Sequence, residues 1–204
     1  AETDLREAAS LDPTKPDILL QYGSVLWRIG KKKEAQQQYE SVLKLDAKNE
    51  WALTAMGYLA RDMGDIKGAE KYFNLLAQTH PTNYVAHLAL GDMYTALRRF
   101  PEANDAYERG WRLSPKNPLL VAGGANVGIE SHKFDMSKKW LDRATTPEMQ
   151  HNPFVLRERE RSGRVKQLEF FRAVAAHARE QHGDRPLAPD CERGIEKVRH
   201  RRTV

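Results

Sequence analysis

The chain has 204 residues, with 33 Lys and Arg against 28 Asp and Glu and a formal charge of +5. Residues 1–151 are neutral and residues 152–204 hold the whole excess, so basic character belongs to the C-terminal part alone. The one cysteine, Cys191, excludes an internal disulfide and stands at no metal-ligand spacing, and it leaves a reduced cytoplasm and a disulfide-free bacterial envelope both open. No apolar run approaches the roughly 20 residues that span a bilayer.

A 34-residue period organises the chain, returning Gly23 at Gly57 and Gly91, Ala35 at Ala69 and Ala103, Tyr39 at Phe73 and Tyr107, and Pro81 at Pro115. A fixed period of this length means stacked helical units in place of one globular core. Residues 1–13 fall in phase as the second helix of a repeat whose first helix is missing, which reads as a fragment or processed product. The helix bearing Leu5, Ala8, Ala9 and Leu11 then offers an apolar end face for self-association.

Residues 16–49 form the first complete unit. Pro16 suits a first helical turn, Leu19, Tyr22, Gly23 and Leu26 follow at helical spacing, and Gly30 ends the helix. Ala35, Tyr39, Val42 and Leu43 mark its second helix, from about Lys32 to Leu45. Residues 50–83 repeat the pattern with Leu53, Met56 and Gly57, a turn at Gly64-Asp65, then Ala69, Phe73 and Leu76. Residues 84–117 do so with Leu90, Gly91, Tyr94, Ala103 and Tyr107. The small residues let paired helices approach, and the aromatics fill the space between units.

Residues 118–151 are a degenerate unit in which Ala125 stands for the glycine, Gly128 for a large residue and Ser137 for the alanine, with Leu141 and Ala144 still in phase. Residues 152–182 read as two irregular capping helices, about 152–162 and 164–181, the second with a stripe of Val165, Leu168, Phe171, Val174, Ala175 and Ala178. Residues 183–204 are a basic tail. Arg193, Lys197, Arg199, Arg201 and Arg202 are its candidate phosphate contacts, but Glu192 and Glu196 are interleaved and no aromatic platform accompanies them, which weighs against nucleic acid.

No catalytic motif emerges. The glycines of G-G-A-N-V-G at Gly123–Gly128 are wrongly spaced for a phosphate loop and lie where the period demands a helix. The histidines form no zinc spacing, and His87, in the place of Leu19 and Leu53, reads as a partly buried structural residue. No metal or cofactor is expected, and the chain reads as non-enzymatic.

The recurring Gly, Ala, aromatic and Pro over about residues 1–145 resemble the tetratricopeptide repeat (TPR) family. The resemblance implies an all-α, right-handed superhelical solenoid of antiparallel helix pairs, whose first helices line a concave groove that binds peptides or partner proteins. Carried onto this sequence, the groove includes Trp27, Arg28, Trp51, Tyr58, Arg61, Asp62, Leu88, Asp92 and Asn126. Leu20, Ser24, Ala55 and Ala89 stand where the family's chaperone-tail groove places Lys and Asn, so an apolar or mixed segment fits better than an acidic C-terminus. The leading expectation is a scaffold that holds a segment of another protein. Two other readings are an accessory repeat domain of a larger enzyme or of a membrane or secretion protein, and nucleic-acid binding through the tail.

Overall fold

The computed structural model describes residues 2–182. The fold is an all-α solenoid, and among the described residues there is no strand. The expected tail contacts, Arg193 to Arg202, lie outside the described residues, as do the side chains of Leu168, Phe171, Val174, Ala175 and Ala178 in the expected stripe. The helices fall into two compact units, divided between Pro115 and Lys116.

The first unit holds α1 (Glu2–Leu11), α2 (Pro16–Arg28), α3 (Lys32–Leu45), α4 (Glu50–Asp62), α5 (Ile66–Thr79), α6 (Tyr84–Ala96) and α7 (Phe100–Leu113). Helices α2–α3, α4–α5 and α6–α7 pack as hairpins, and each hairpin packs on the next. Local chemistry sets the ends. Asn49 and Asn83 cap α4 and α6 by accepting from the Ala52 and Val85 amides, which satisfies N–H groups that the helix itself leaves open. The turns between paired helices close the same way each time: Lys31, Asp65 and Arg99 donate backbone N–H groups to the carbonyls of Leu26, Ala60 and Tyr94. The preceding residue in each turn has positive φ, +88° at Gly30, +82° at Gly64 and 58° at Arg98. This is a Schellman ending, whose left-handed residue glycine adopts without a Cβ penalty.

Each hairpin is held by one glycine facing one ring. An added Cβ at Gly57 would stand 2.5 Å from Phe73 Cε1, and Gly23 and Gly91 face Tyr39 and Tyr107 alike. These rings, with Ala35, Ala69 and Ala103, are buried in the core of the first unit. At α1, Ala9 is buried, Leu5 packs on the core and Lys31 pairs with Glu2, so the expected apolar end face is largely covered by α2 and the turn after it. Only Leu11 of that face stays strongly exposed.

The second unit holds α8 (Pro118–Glu130), α9 (Phe134–Leu141), α10 (Pro147–Gln150) and α11 (Pro153–His182). Asn117 caps α8, and His132, at φ 57°, closes the α8–α9 turn as Gly30, Gly64 and Arg98 close theirs. The G-G-A-N-V-G segment is helical, within α8. Two expectations need correction. The glycine that faces a ring is Gly124 against Trp140, not Ala125 against Leu141, so this pair sits one residue early while Ser137 keeps the alanine phase. The two expected helices of residues 152–182 are one 30-residue helix, α11, which runs through Gly163. A glycine weakens a helix by only about 1 kcal/mol, and the Arg and Glu residues around it are good helix formers. Helix α11 packs on α8 and α9.

Candidate partner-binding groove

The first helices of the hairpins, α2, α4 and α6, touch one another in order, which brings their facing side chains onto one surface. Trp27 on α2 donates its Nε1 proton to Asp62 Oδ2 on α4 at 3.1 Å, and its ring packs against the core of the first hairpins. Lys32 Nζ donates to the Asp62 carbonyl at 2.8 Å, so the C-terminal end of α4 is tied to the α2–α3 turn. Trp27 and Asp62 therefore form a fixed wall. Arg28 is exposed beside it.

On α4, the Arg61 guanidinium lies 5.0 Å from the centre of the Tyr58 ring. That ring meets Phe73 edge to face, with centroids 5.1 Å apart. Tyr58 is thus held between a core aromatic and a cation, and burial with the nearby Asp92 charge pushes its phenol up. On α6, Asp92 Oδ1 accepts from the Tyr107 hydroxyl at 2.6 Å. Loss of solvation on this face raises the Asp92 carboxyl above its usual range, even though the Tyr107 bond and the Arg61 charge both lower it. The side chain keeps accessible surface, yet its charge is only partly compensated. Leu88, one turn earlier, is half-buried.

Trp51 stands apart from this set. It is 72% exposed at the first turn of α4, a large exposed apolar side chain on the same helix as Tyr58 and Arg61. Single exposed apolar residues are ordinary, but an exposed indole about two turns before an aromatic–cation pair on the same helix gives rigid contact area.

Asn126, expected on the open face, is taken by its own chain. Arg161 of α11 donates from Nη1 to Asn126 Oδ1 at 2.6 Å, and from Nη2 to Glu130 Oε1 at 2.7 Å. Sequence reasoning missed this because contact between α11 and α8 leaves no mark in the repeat phase. It also missed an open cleft of about 710 Å³ on the other side of α6, between α5 and α7, lined by Asn74, Gln78, His87, Tyr94 and Arg109 among others. His87 is half-buried there, and burial lowers its pKa. The cleft is electrically balanced, since Arg99 pairs with Glu102 at 2.9 Å and Arg109 with Asp105 at 2.8 Å. Among the described residues, no group of His, Cys, Asp and Glu is placed to hold a metal ion, and no helix is long and apolar enough to cross a membrane.

Hairpins stacked at a 34-residue period, with first helices presenting one face, define a protein-interaction repeat fold. Tetratricopeptide repeat family models match residues 16–49 and 54–118, and the chain belongs to the TPR family. Among curated proteins it is similar to human Protein O-mannosyl-transferase TMTC1, 25% identical over 108 residues, which are 53% of this chain and 12% of that protein. The chain thus matches only a small part of that relative's length. Among solved structures it is similar to a tetratricopeptide repeat protein from Parabacteroides merdae, with TM-score 0.70, 21% identity, and 99% of this chain and 79% of that one covered. It is similar to MamA protein, with TM-score 0.63, 15% identity and 93% and 87% covered. A thermophilic TPR protein from Thermus thermophilus has TM-score 0.59 and 19% identity, with 91% and 100% covered. These likenesses concern the fold.

Proposed function

We propose that the protein is a non-catalytic scaffold whose α2–α4–α6 face binds a segment of a partner protein. Trp27, Arg28, Trp51, Tyr58, Arg61, Asp62, Leu88 and Asp92 form the site, with Asn126 left out because Arg161 already occupies it. The observation that carries the reading is Trp51: an indole 72% exposed, on the helix that also presents Tyr58 and Arg61. Buried aromatic anchors at the centre of an interface supply most of its binding energy. The test is affinity capture with the intact chain from an extract of its source organism. Trp51→Ala with Tyr58→Ala abolishes retention of the partner while helical content stays the same; retention at the wild-type level defeats the reading.

A second reading is favoured by the similarity to a 108-residue stretch of an O-mannosyl-transferase. In it, the repeats are the accessory domain of a longer enzyme or membrane protein, and the groove holds another part of that assembly. Sequencing the transcript that carries these codons decides it, because a reading frame confined to these residues removes the motive.

A further inference from the structure

The chain shows how one of its own first helices takes a ligand. Asn126 and Glu130 lie one turn apart on α8, and they grip the two guanidinium nitrogens of Arg161 from outside the hairpin. Arg161 is aimed by Glu158, a fully buried carboxylate that accepts from Arg161 Nη1 at 2.9 Å and from Arg157 Nε at 2.9 Å. The occupant of that face is therefore a helix that inserts a braced arginine.

Moving back one repeat of 34 residues, Asn126 becomes Asp92 and Glu130 becomes Ala96. Asp92 keeps the acceptor and adds a charge. One of its oxygens takes the Tyr107 hydroxyl at 2.6 Å, and among the described residues the second has no hydrogen-bond or ion-pair partner, the Arg61 guanidinium being held over Tyr58. Ala96 is small and exposed, leaving room where Glu130 stands on α8. Resting on the groove reading above, we propose that the partner segment is an α-helix that places an arginine on Asp92 while its apolar side covers Trp51. The pairing repeats on α6 what α11 does on α8, with a carboxylate in place of the amide. A charge-assisted hydrogen bond of this kind is about twice as strong as a neutral one.

The test is selection from a displayed library of randomised helical peptides on the immobilised full chain. Binders from the wild-type chain carry a fixed arginine one or two turns from an apolar cluster. Asp92→Ala weakens them about tenfold, and exchanging the peptide arginine for glutamine then has no further effect. Ala96→Glu, which rebuilds the acceptor pair of α8, tightens the same peptides. Binders that depend on Trp51 but have no fixed basic residue, or keep their affinity with Asp92→Ala, overturn the arginine site and leave the groove reading standing. A selection that yields no binder sensitive to Trp51→Ala with Tyr58→Ala overturns both. Circular dichroism of each variant confirms that the fold is intact.

Discussion

Gly124 of α8 lies flush against the indole of Trp140 on α9, with no space between them for a Cβ. Trp140 is fully buried, so it cannot swing aside. Gly124→Ala gains about 1 kcal/mol of helix propensity but overpacks a closed contact, at a cost of about 1–3 kcal/mol. The net expectation is a loss of about 1–2 kcal/mol in urea unfolding, with the same sign for Gly57→Ala against Phe73. Gly163→Ala is the control. Nothing lies within 4 Å of the Cβ it adds, so it stabilises α11.

Ser137 holds the alanine place of its hairpin, fully buried, and its hydroxyl has no hydrogen-bond partner among the described residues. A buried hydroxyl left unpaired costs about 1–3 kcal/mol. Ser137→Ala restores the residue type of Ala35, Ala69 and Ala103 and raises the melting temperature, with a gain of about 1 kcal/mol. A lower melting temperature would mean that the hydroxyl is paired in solution.

Arg98 sits at φ 58°, where Gly30 and Gly64 sit in the earlier turns. The left-handed conformation costs a residue with a side chain about 1 kcal/mol or more. Arg98 recovers part of this by stacking 5.2 Å from the centre of the Phe100 ring, worth about 0.5 kcal/mol at an exposed site. Arg98→Gly is expected to stabilise by about 0.5 kcal/mol. Gly64→Ala in the same kind of turn destabilises by about 1 kcal/mol. Chemical denaturation of the pair reads the contrast directly.

Burial pushes the Tyr39 phenol up to about 12, and burial together with the Glu70 hydrogen bond pushes Tyr94 up to about 12. An unfolded chain ionises its phenols near pH 10, roughly two units earlier. Between those values the unfolded state has released protons that the folded state still holds, so stability is intact below about pH 10 and falls as the pH rises towards 12. Absorbance of tyrosinate is expected to appear together with the loss of helical signal. Tyr39→Phe shifts that transition to higher pH; an unchanged midpoint contradicts the assignment.

The hairpins were legible because glycine, alanine and ring recur in phase, and each type has a packing reason that survives substitution at the surface. The caps were legible as well, since Asn49, Asn83 and Asn117 stand 34 residues apart, although a reading centred on apolar positions passes over them. Arg98 and His132 were hidden, because a left-handed turn announces itself by glycine and these side chains carry no such mark. Gly124 was hidden by its neighbour: with two glycines in sequence, phase alone selects Ala125, and only the ring of Trp140 shows which position is closed. Gly163 suggests a helix end by type, yet the charged run on either side carries α11 through it. In the candidate groove, helical phase placed Trp27, Tyr58 and Asp92 on first helices, but it did not show that Trp27 is fastened to Asp62 or that Arg161 covers Asn126. Those are tertiary bonds between positions that the period treats independently.

Trp51 has an optical consequence. Trp140 is fully buried and Trp27 and Trp111 are partly covered, whereas Trp51 is 72% exposed. The long-wavelength, acrylamide-quenchable part of the protein's fluorescence therefore comes mainly from one residue of the proposed interface. A partner seated on α4 would move that emission to the blue and shield it from quencher, while Trp51→Phe would make the same event silent. The groove carries its own reporter, and occupancy is readable without a label.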